Sequence, residues 1–516
     1  MSEGDLLSEA SEPDDLTAPL DPEVTQPRTR SRATLAGREA WLRVRRMRGG
    51  PPTDPIPLVE LVQGTPYRHV EIPSDAPDEG DRVLEALRFA GQLGELMLRS
   101  GAGAPQVEAS MAAVGAASGL PNLEIDITLQ SLLLQAHSAE GAPWTQLRVV
   151  RATRPDHDRL TAIHQLVAAM VAGDLDLDAA VVELRRIKAR PRRWPDRVGT
   201  VASALVATAV ALMIGAGVFA GLWIFASVLV VATVQSSVRP LRLPDFYVDA
   251  GAAFFATLLA WLGYLLGALE ILPISPSDFA FMVAGGIVSL LPGRTWASAI
   301  EDVLSGYPLT GVGRMFGTSI TLLGVILGVG SAVQVTARLT SLSDITSPTV
   351  VDLQPTDASW AWVLIAGLVI GSMAAVTLQA RPRILGPCAL LSVIGVTVVQ
   401  TLQRTGVAGP IMATAGAAIV VGLLGRFAAE RLRAPALVLI VPSTLALLPG
   451  LLLFRGIYQM VGVQGAGTLA IESGLIKIVF ALATLLAIAT GTTFGEILAA
   501  PFDRSATLIA RRRRRG

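Results

Sequence analysis

From residue 198 to residue 500 the chain is an almost continuous succession of Ala, Val, Leu, Ile and Gly, with short polar turns between the runs. The runs reach the roughly 17–25 residues that a helix rising 1.5 Å per residue needs to cross a hydrocarbon layer about 30 Å thick. They predict ten spans, near 199–216, 218–236, 248–269, 279–293, 314–336, 359–379, 384–401, 407–425, 435–454 and 474–495. Charged residues make up only 16% of the 516 residues, against 51% apolar, and most of the charge lies before residue 198. The chain therefore divides near Pro191–Arg197 into a polar N-terminal part and a membrane part.

The basic residues test that count independently. With the first span entering from the cytosol, the inner loops and tail hold 15 arginines: Arg239, Arg242, Arg294, Arg314, Arg381, Arg383, Arg426, Arg431, Arg433, Arg504 and Arg511–Arg515. The outer loops hold three, Arg338, Arg404 and Arg455. Because positive charge stays on the cytoplasmic side, this bias predicts ten spans, a cytosolic C-terminus and insertion in the plasma membrane. No apolar stretch follows Met1, so the N-terminal part is expected in the cytosol as well. A net charge of zero conceals an acidic start and the basic tail 501–516, which is read as a contact with anionic lipid through Arg511–Arg515. Neither end suggests nucleic-acid binding.

Within the polar part, residues 1–80 are rich in Pro, Asp, Glu, Ser and Arg, and too few apolar positions recur for a core, which predicts disorder. The piece Leu35–Met47 is a candidate short basic helix. Residues 81–190 read as an α+β domain. A helical period runs from Val83 to Met97 and stops at Ser100-Gly101, and a second helix starts at Pro105. Three strand-like runs follow, Leu123–Leu129, Ser131–His137 and Gln146–Ala152, and then helices over Asp158–Ala172 and Asp178–Lys188.

The membrane part contains a repeat. Ser289-Leu290-Leu291-Pro292-Gly293 returns as Ala446-Leu447-Leu448-Pro449-Gly450, 157 residues later, and the same offset carries the first span onto the sixth. An odd number of spans per copy inverts the second copy. The expected fold is thus an all-α polytopic membrane domain of about ten transmembrane helices in a 5+5 inverted repeat (198–340 and 358–500), behind a small α+β cytosolic domain and a disordered N-terminus.

Proline removes a backbone donor and glycine turns freely, so each Pro-Gly either breaks a span beside a polar cavity or caps a helix at the lipid surface. Matching repeat positions favour paired breaks at a translocation path, which makes Pro292, Gly293, Pro449 and Gly450 candidate substrate-site residues. After the first break, Glu301 and Asp302 lie among apolar neighbours, and a carboxylate at membrane depth suits a substrate ammonium or a coupling proton. A solvated loop carboxylate is the alternative for Asp302. Its repeat counterpart is Gln459. Lys477 opens the last span and is read as reaching for the interface. Gly324 with Gly328, and Gly367 with Gly371, are read as sites of close helix approach.

No other chemistry stands out. The four histidines, His69, His137, His157 and His164, have no metal-ligand spacing. Cys388 is the sole cysteine and lies in an apolar run. No phosphate-binding glycine loop is present, so neither a metal nor a cofactor is expected, and a gradient rather than ATP is the expected energy source.

These residues resemble the threonine/serine exporters of actinobacteria and their relatives over most of 81–500. The likeness rests on Gly91–Leu98 with Ser100-Gly101-Ala102, Val107-Glu108, Gly119-Leu120, Arg193-Trp194-Pro195, Leu291-Pro292-Gly293, Ala299-Ile300-Glu301-Asp302 and Leu448-Pro449-Gly450, in that order. It implies a non-enzymatic carrier that exports threonine and serine, driven by membrane potential or a coupling proton. It also invites comparison of Ser100, Gly101 and Glu108 with a hydrolase site; the same residues fit a helix end followed by a first-turn acid on the next helix dipole. The chain departs from the family pattern at Gly103-Ala104, where a polar pair is expected. The competing function is a membrane-anchored hydrolase whose soluble domain carries the activity.

Overall fold

A computed structural model describes residues 65, 67, 80–120, 123–137, 143–241, 243–288, 290, 293–341, 359–461 and 468–514. The expectations for residues 1–80, including the helix Leu35–Met47, fall outside these apart from three single positions. Leu291, Pro292, Arg515 and the side chains of Arg511–Arg514 also lie outside the described set.

The N-terminal part is α+β. Helix α1 (Gly80–Arg99) buries Val83, Leu87, Ala90 and Leu93 on one face, and α2 (Ala104–Ala117) follows with Pro105 in its first turn. The strands β1 (Leu123–Thr128), β2 (Ser131–His137) and β3 (Pro143–Val149) form an antiparallel sheet in the order β1-β2-β3. Leu132, Leu134 and Ala136 alternate inward on β2, the period of a strand with one covered face. Helices α1 and α2 cover that face.

Two more helices complete the unit. In α3 (His157–Val171) Asp156 accepts from Arg159 N at 3.1 Å, and in α4 (Leu177–Ala189) Asp176 accepts from Ala179 N at 3.0 Å. Each carboxylate satisfies a backbone donor that the first turn leaves open. The third strand begins three residues before its expected start, because β3 pairs along the whole of β2 from Ser131↔Val149 to His137↔Pro143.

The membrane part contains α5 (Asp196–Met213), α6 (Val218–Val238), α7 (Asp245–Ala268), α8 (Asp278–Val288), α9 (Gly293–Leu304), α10 (Pro308–Ser341), α11 (Trp360–Thr377), α12 (Pro382–Arg404), α13 (Pro410–Leu432), α14 (Leu437–Thr444), α15 (Gly450–Val461) and α16 (Thr468–Arg514). Among the described residues eight helices are long and apolar enough to cross a bilayer, and the pair Leu437–Leu447 and Gly450–Met460, bent by 49°, makes a ninth. The chain is a multi-pass membrane protein. The expected ten differs from this count because the fourth run, 279–293, yields only the 11-residue α8 before α9 begins at Gly293.

The order and packing of the elements recur. Helices α9 and α15 each have 12 residues and start 157 residues apart. In the first set α5 packs on α6, α7 on α8 and α10, and α9 on α10; in the second α11 packs on α12, α13 on α14 and α16, and α15 on α16. The tight contacts rely on glycine. A Cβ at Gly324 would stand 2.7 Å from Phe246 O across the α10–α7 contact, and one at Gly491 would stand 2.8 Å from Ala415 O across α16–α13. Neither distance is tolerable, so backbones meet there only because the side chain is missing.

Candidate functional site

The first turn of α2 has no side-chain cap of its own, since Gly103 precedes it. The missing acceptor comes from 198 residues away: Asp302 Oδ1, near the end of α9, accepts from Ala104 N at 3.1 Å. The other oxygen of Asp302 accepts from Arg314 Nη1 at 2.6 Å, and the Asp302 side chain is fully buried. A carboxylate suits the positive end of the α2 dipole, and the guanidinium balances its charge. A Cβ at position 103 would stand 3.5 Å from Asp302 Oδ1, an ordinary contact, so the departure at Gly103-Ala104 is not explained by lack of space.

Two neighbouring contacts fasten the same edge. Tyr307, between α9 and α10, donates its hydroxyl to Glu108 of α2. Burial pushes the Glu108 carboxyl above its ordinary range and the tyrosine hydroxyl draws it back; burial and that same carboxylate raise the Tyr307 phenol. At the tip of the β1–β2 turn, Leu129 has a positive φ of 56°, and its N–H donates to Thr310 Oγ1 at 3.0 Å. The Thr310 hydroxyl donates in turn to Ile127 O at 3.1 Å.

The opposite edge is held by the turn between α11 and α12. Asp158 accepts from Arg381 and pairs with Arg193 at 3.4 Å, and His157 N donates to Leu378 O at 2.9 Å. Gln379 accepts from Trp194 N at 2.8 Å and donates to Trp194 O at 3.1 Å. The α+β unit is therefore bonded to elements of both sets, and its buried core runs on without interruption into α12–α14.

Between these anchorages lies a cavity of about 930 Å³, within the roughly 300–1,000 Å³ range of small-molecule sites. The α+β unit contributes Gly101, Leu129, Thr153 and His157 to its wall; the membrane part contributes Glu301 and Ser298 of α9, Arg314 and Thr318 of α10, Thr444 of α14, and Thr492 and Glu496 of α16. Hydroxyls and charges of both signs thus face one space. A second cavity of about 620 Å³ shares Thr295, Leu445 and Leu448 with the first. It is walled by Leu290 beside the first break and by Pro449 and Gly450 of the second. Residues flanking both breaks converge there.

The candidate residues are distributed as follows. Glu301, Pro449 and Gly450 line these cavities, Gly293 opens α9, and Asp302 is spent on Ala104 and Arg314. Gln459, on α15, accepts from Lys477 Nζ at 2.7 Å and from Ser473 Oγ at 3.0 Å. Gly101 lines the large cavity with a positive φ of 93°. Ser100 is buried at the end of α1, where its carbonyl accepts from Asp156 N at 3.0 Å, while Glu108 is engaged by Tyr307. Among the described residues no group of three or more His, Cys, Asp or Glu is placed to hold a metal ion.

Residues 88–336 match the family described as "Putative threonine/serine exporter", and residues 363–498 match "Threonine/Serine exporter, ThrE". The chain is 27% identical over 447 residues to the "Threonine/serine exporter" of Corynebacterium glutamicum, covering 86% of this chain and 88% of that protein. It is 29% identical over 435 residues to the "Probable threonine/serine exporter" of Mycobacterium tuberculosis (strain ATCC 25618 / H37Rv), covering 81% and 77%. The chain belongs to the threonine/serine exporter family. No solved structure matches it.

Membership makes the chain a transporter. Sequence reasoning missed Glu496, because the last span was ended at residue 495. The signal was present: the apolar run resumes at Ile497-Leu498-Ala499 and α16 continues unbroken, which leaves one carboxylate inside an apolar helix. The roles of Tyr307, Thr310 and Arg381 had no local signal, because each partner lies about 180 or more residues away.

Proposed function

We propose that the protein exports threonine and serine across the plasma membrane as a secondary transporter, with its α+β domain and C-terminus in the cytosol. The observation that carries this reading is the convergence of residues flanking both Pro-Gly breaks on one cavity that joins a larger polar one. Irregular backbone at membrane depth is tolerated where it borders a wet cavity, and half-helix ends carry the dipoles that bind charged solutes.

In this reading 198–340 and 358–500 are inverted halves that rock about the cavities. The recurring order and packing of their elements, and the arginine asymmetry, support it. The substrate carboxylate faces the free N–H groups at the start of α9 or α15, the ammonium faces a carboxylate of the large cavity, and the side-chain hydroxyl finds Ser298, Thr318 or Thr492. Asp302 is a positioning residue that ties α9 to α2. Gln459 and Lys477 hold α15 against α16 in the second half, and the tail Arg511–Arg515 meets anionic lipid.

Cells preloaded with a threonine dipeptide, which they hydrolyse to threonine, test the assignment. Cells carrying the wild-type chain are expected to release threonine faster than cells lacking it. Equal release rates would end the substrate assignment.

A further inference from the structure

The exporter reading leaves the coupling chemistry open, and two carboxylates bear on it. Glu301 stands on α9 of the first set and Glu496 on α16 of the second, and these helices pack on each other. Both side chains are half-buried and both line the large cavity. Among the described residues neither carboxylate is tied up by a hydrogen bond. Asp302, one residue on, is the contrasting case, with both oxygens occupied.

Glu496 also lines a further cavity of about 960 Å³, with Glu430, Arg433, Asp174 and His164 on its wall. Asp302 and Arg314 face Glu301, with Arg314 held by Asp302 at 2.6 Å. Arg426 of α13 faces Glu496 and donates to its backbone carbonyl at 3.4 Å. Across the cavity stand His157 and Asp245. Helix α15 adds Arg455, which lies beside Lys477. On the same helix as Glu496, Lys477 is 19 residues away, about 28 Å at 1.5 Å per residue, so neither cation neutralises the pair.

We propose that Glu301 and Glu496 form a proton–ammonium exchange site. Two like charges that share a space do not both stay ionised cheaply, so the pair holds one proton when empty. An arriving amino acid brings an ammonium that neutralises the pair in the proton's place, and the proton leaves to the cavity. On the far side the ammonium departs and one proton returns, so one proton enters for each amino acid exported. Because one carboxylate comes from each half, occupancy is sensed by both. This rests on the exporter reading above.

The test uses the full chain with Glu301→Gln, Glu496→Gln and the double substitution, each checked for folding by size exclusion, with Glu496→Asp as a conservative rescue. Threonine is added to purified protein in weakly buffered detergent and released protons are followed with a pH dye. The same proteins are reconstituted and assayed for transport driven by a pH gradient and for counterflow without one. The wild type is expected to release protons on binding threonine. Each single Gln variant should lose gradient-driven transport by roughly tenfold or more, with counterflow weakened much less, since one carboxylate still meets the ammonium. The double variant should lose both, and Glu496→Asp should restore the gradient response. Wild-type protein that binds threonine and releases no proton would overturn the proposal, as would undiminished gradient-driven transport by folded Glu496→Gln. Wild-type protein that neither binds nor exchanges threonine would overturn the exporter reading itself, and this site with it.

Discussion

Replacing Asp302 with alanine removes two interactions at once. One is an ion pair with Arg314 at 2.6 Å, in which the carboxylate is fully buried and the arginine side chain is 23% exposed. Breaking the pair from one side leaves the arginine without its partner, and its partial exposure holds the loss to about 2 kcal/mol, between the values of buried and exposed pairs. The other is the cap on Ala104 N at 3.1 Å, worth about 1 kcal/mol. Asp302→Asn keeps an oxygen for the Ala104 amide and loses mainly the charge, so about 1.5–3 kcal/mol is expected. The readout is hydrogen exchange of the first-turn amides of α2, measured on the intact chain in detergent. A loss of about 3 kcal/mol corresponds to exchange roughly a hundredfold faster in Asp302→Ala. Asp302→Asn should be intermediate, and the tyrosine contact of Glu108 should soften with it. Unchanged protection of α2 in Asp302→Ala would refute the docking role. Unchanged protection together with weakened threonine binding would assign Asp302 to the substrate instead.

Other consequences follow from the same contacts. Gly324→Leu should force α10 off α7, costing about 1–3 kcal/mol and lowering the yield of folded protein on size exclusion; a normal yield and melting midpoint would show that the backbones do not meet as described. Burial holds His164 down to about 4, and its Nδ1 meets Tyr67 Oη at 2.7 Å. The unfolded chain takes up a proton near pH 6.5 and the folded one only near 4, so this contribution to stability is present above pH 6.5 and falls with pH across that window, by about 3 kcal/mol in full. Melting curves should show that fall shrinking in His164→Asn, and an identical pH slope in both proteins would refute it.

The periodic part of this fold was legible from the sequence. In β2 every second residue is buried, and in α1 the apolar face recurs at helical spacing, so the type of each element could be assigned from its pattern. Length was a weaker guide. The run 279–293 is as apolar as its neighbours, yet the helix α8 stops at Val288, because hydropathy records a preference for lipid and not continuity of the backbone. The site was harder to read for a geometric reason. Glu301 and Asp302 are adjacent and chemically alike, but one faces the cavity and the other meets Ala104 and Arg314. Only the placement of α2, almost 200 residues earlier in the chain, separates them. Glu496 was lost to a boundary drawn one residue short, in a helix that continues to Arg514.

Counterflow measures the central claim most directly. Liposomes carrying the purified chain are loaded with excess unlabelled threonine, and entry of labelled threonine is timed with no gradient of pH or potential. A carrier whose halves alternate about one cavity returns faster when loaded, so internal threonine should accelerate uptake and produce a transient overshoot. Uptake that is indifferent to internal threonine would describe a passive pore and would contradict the account.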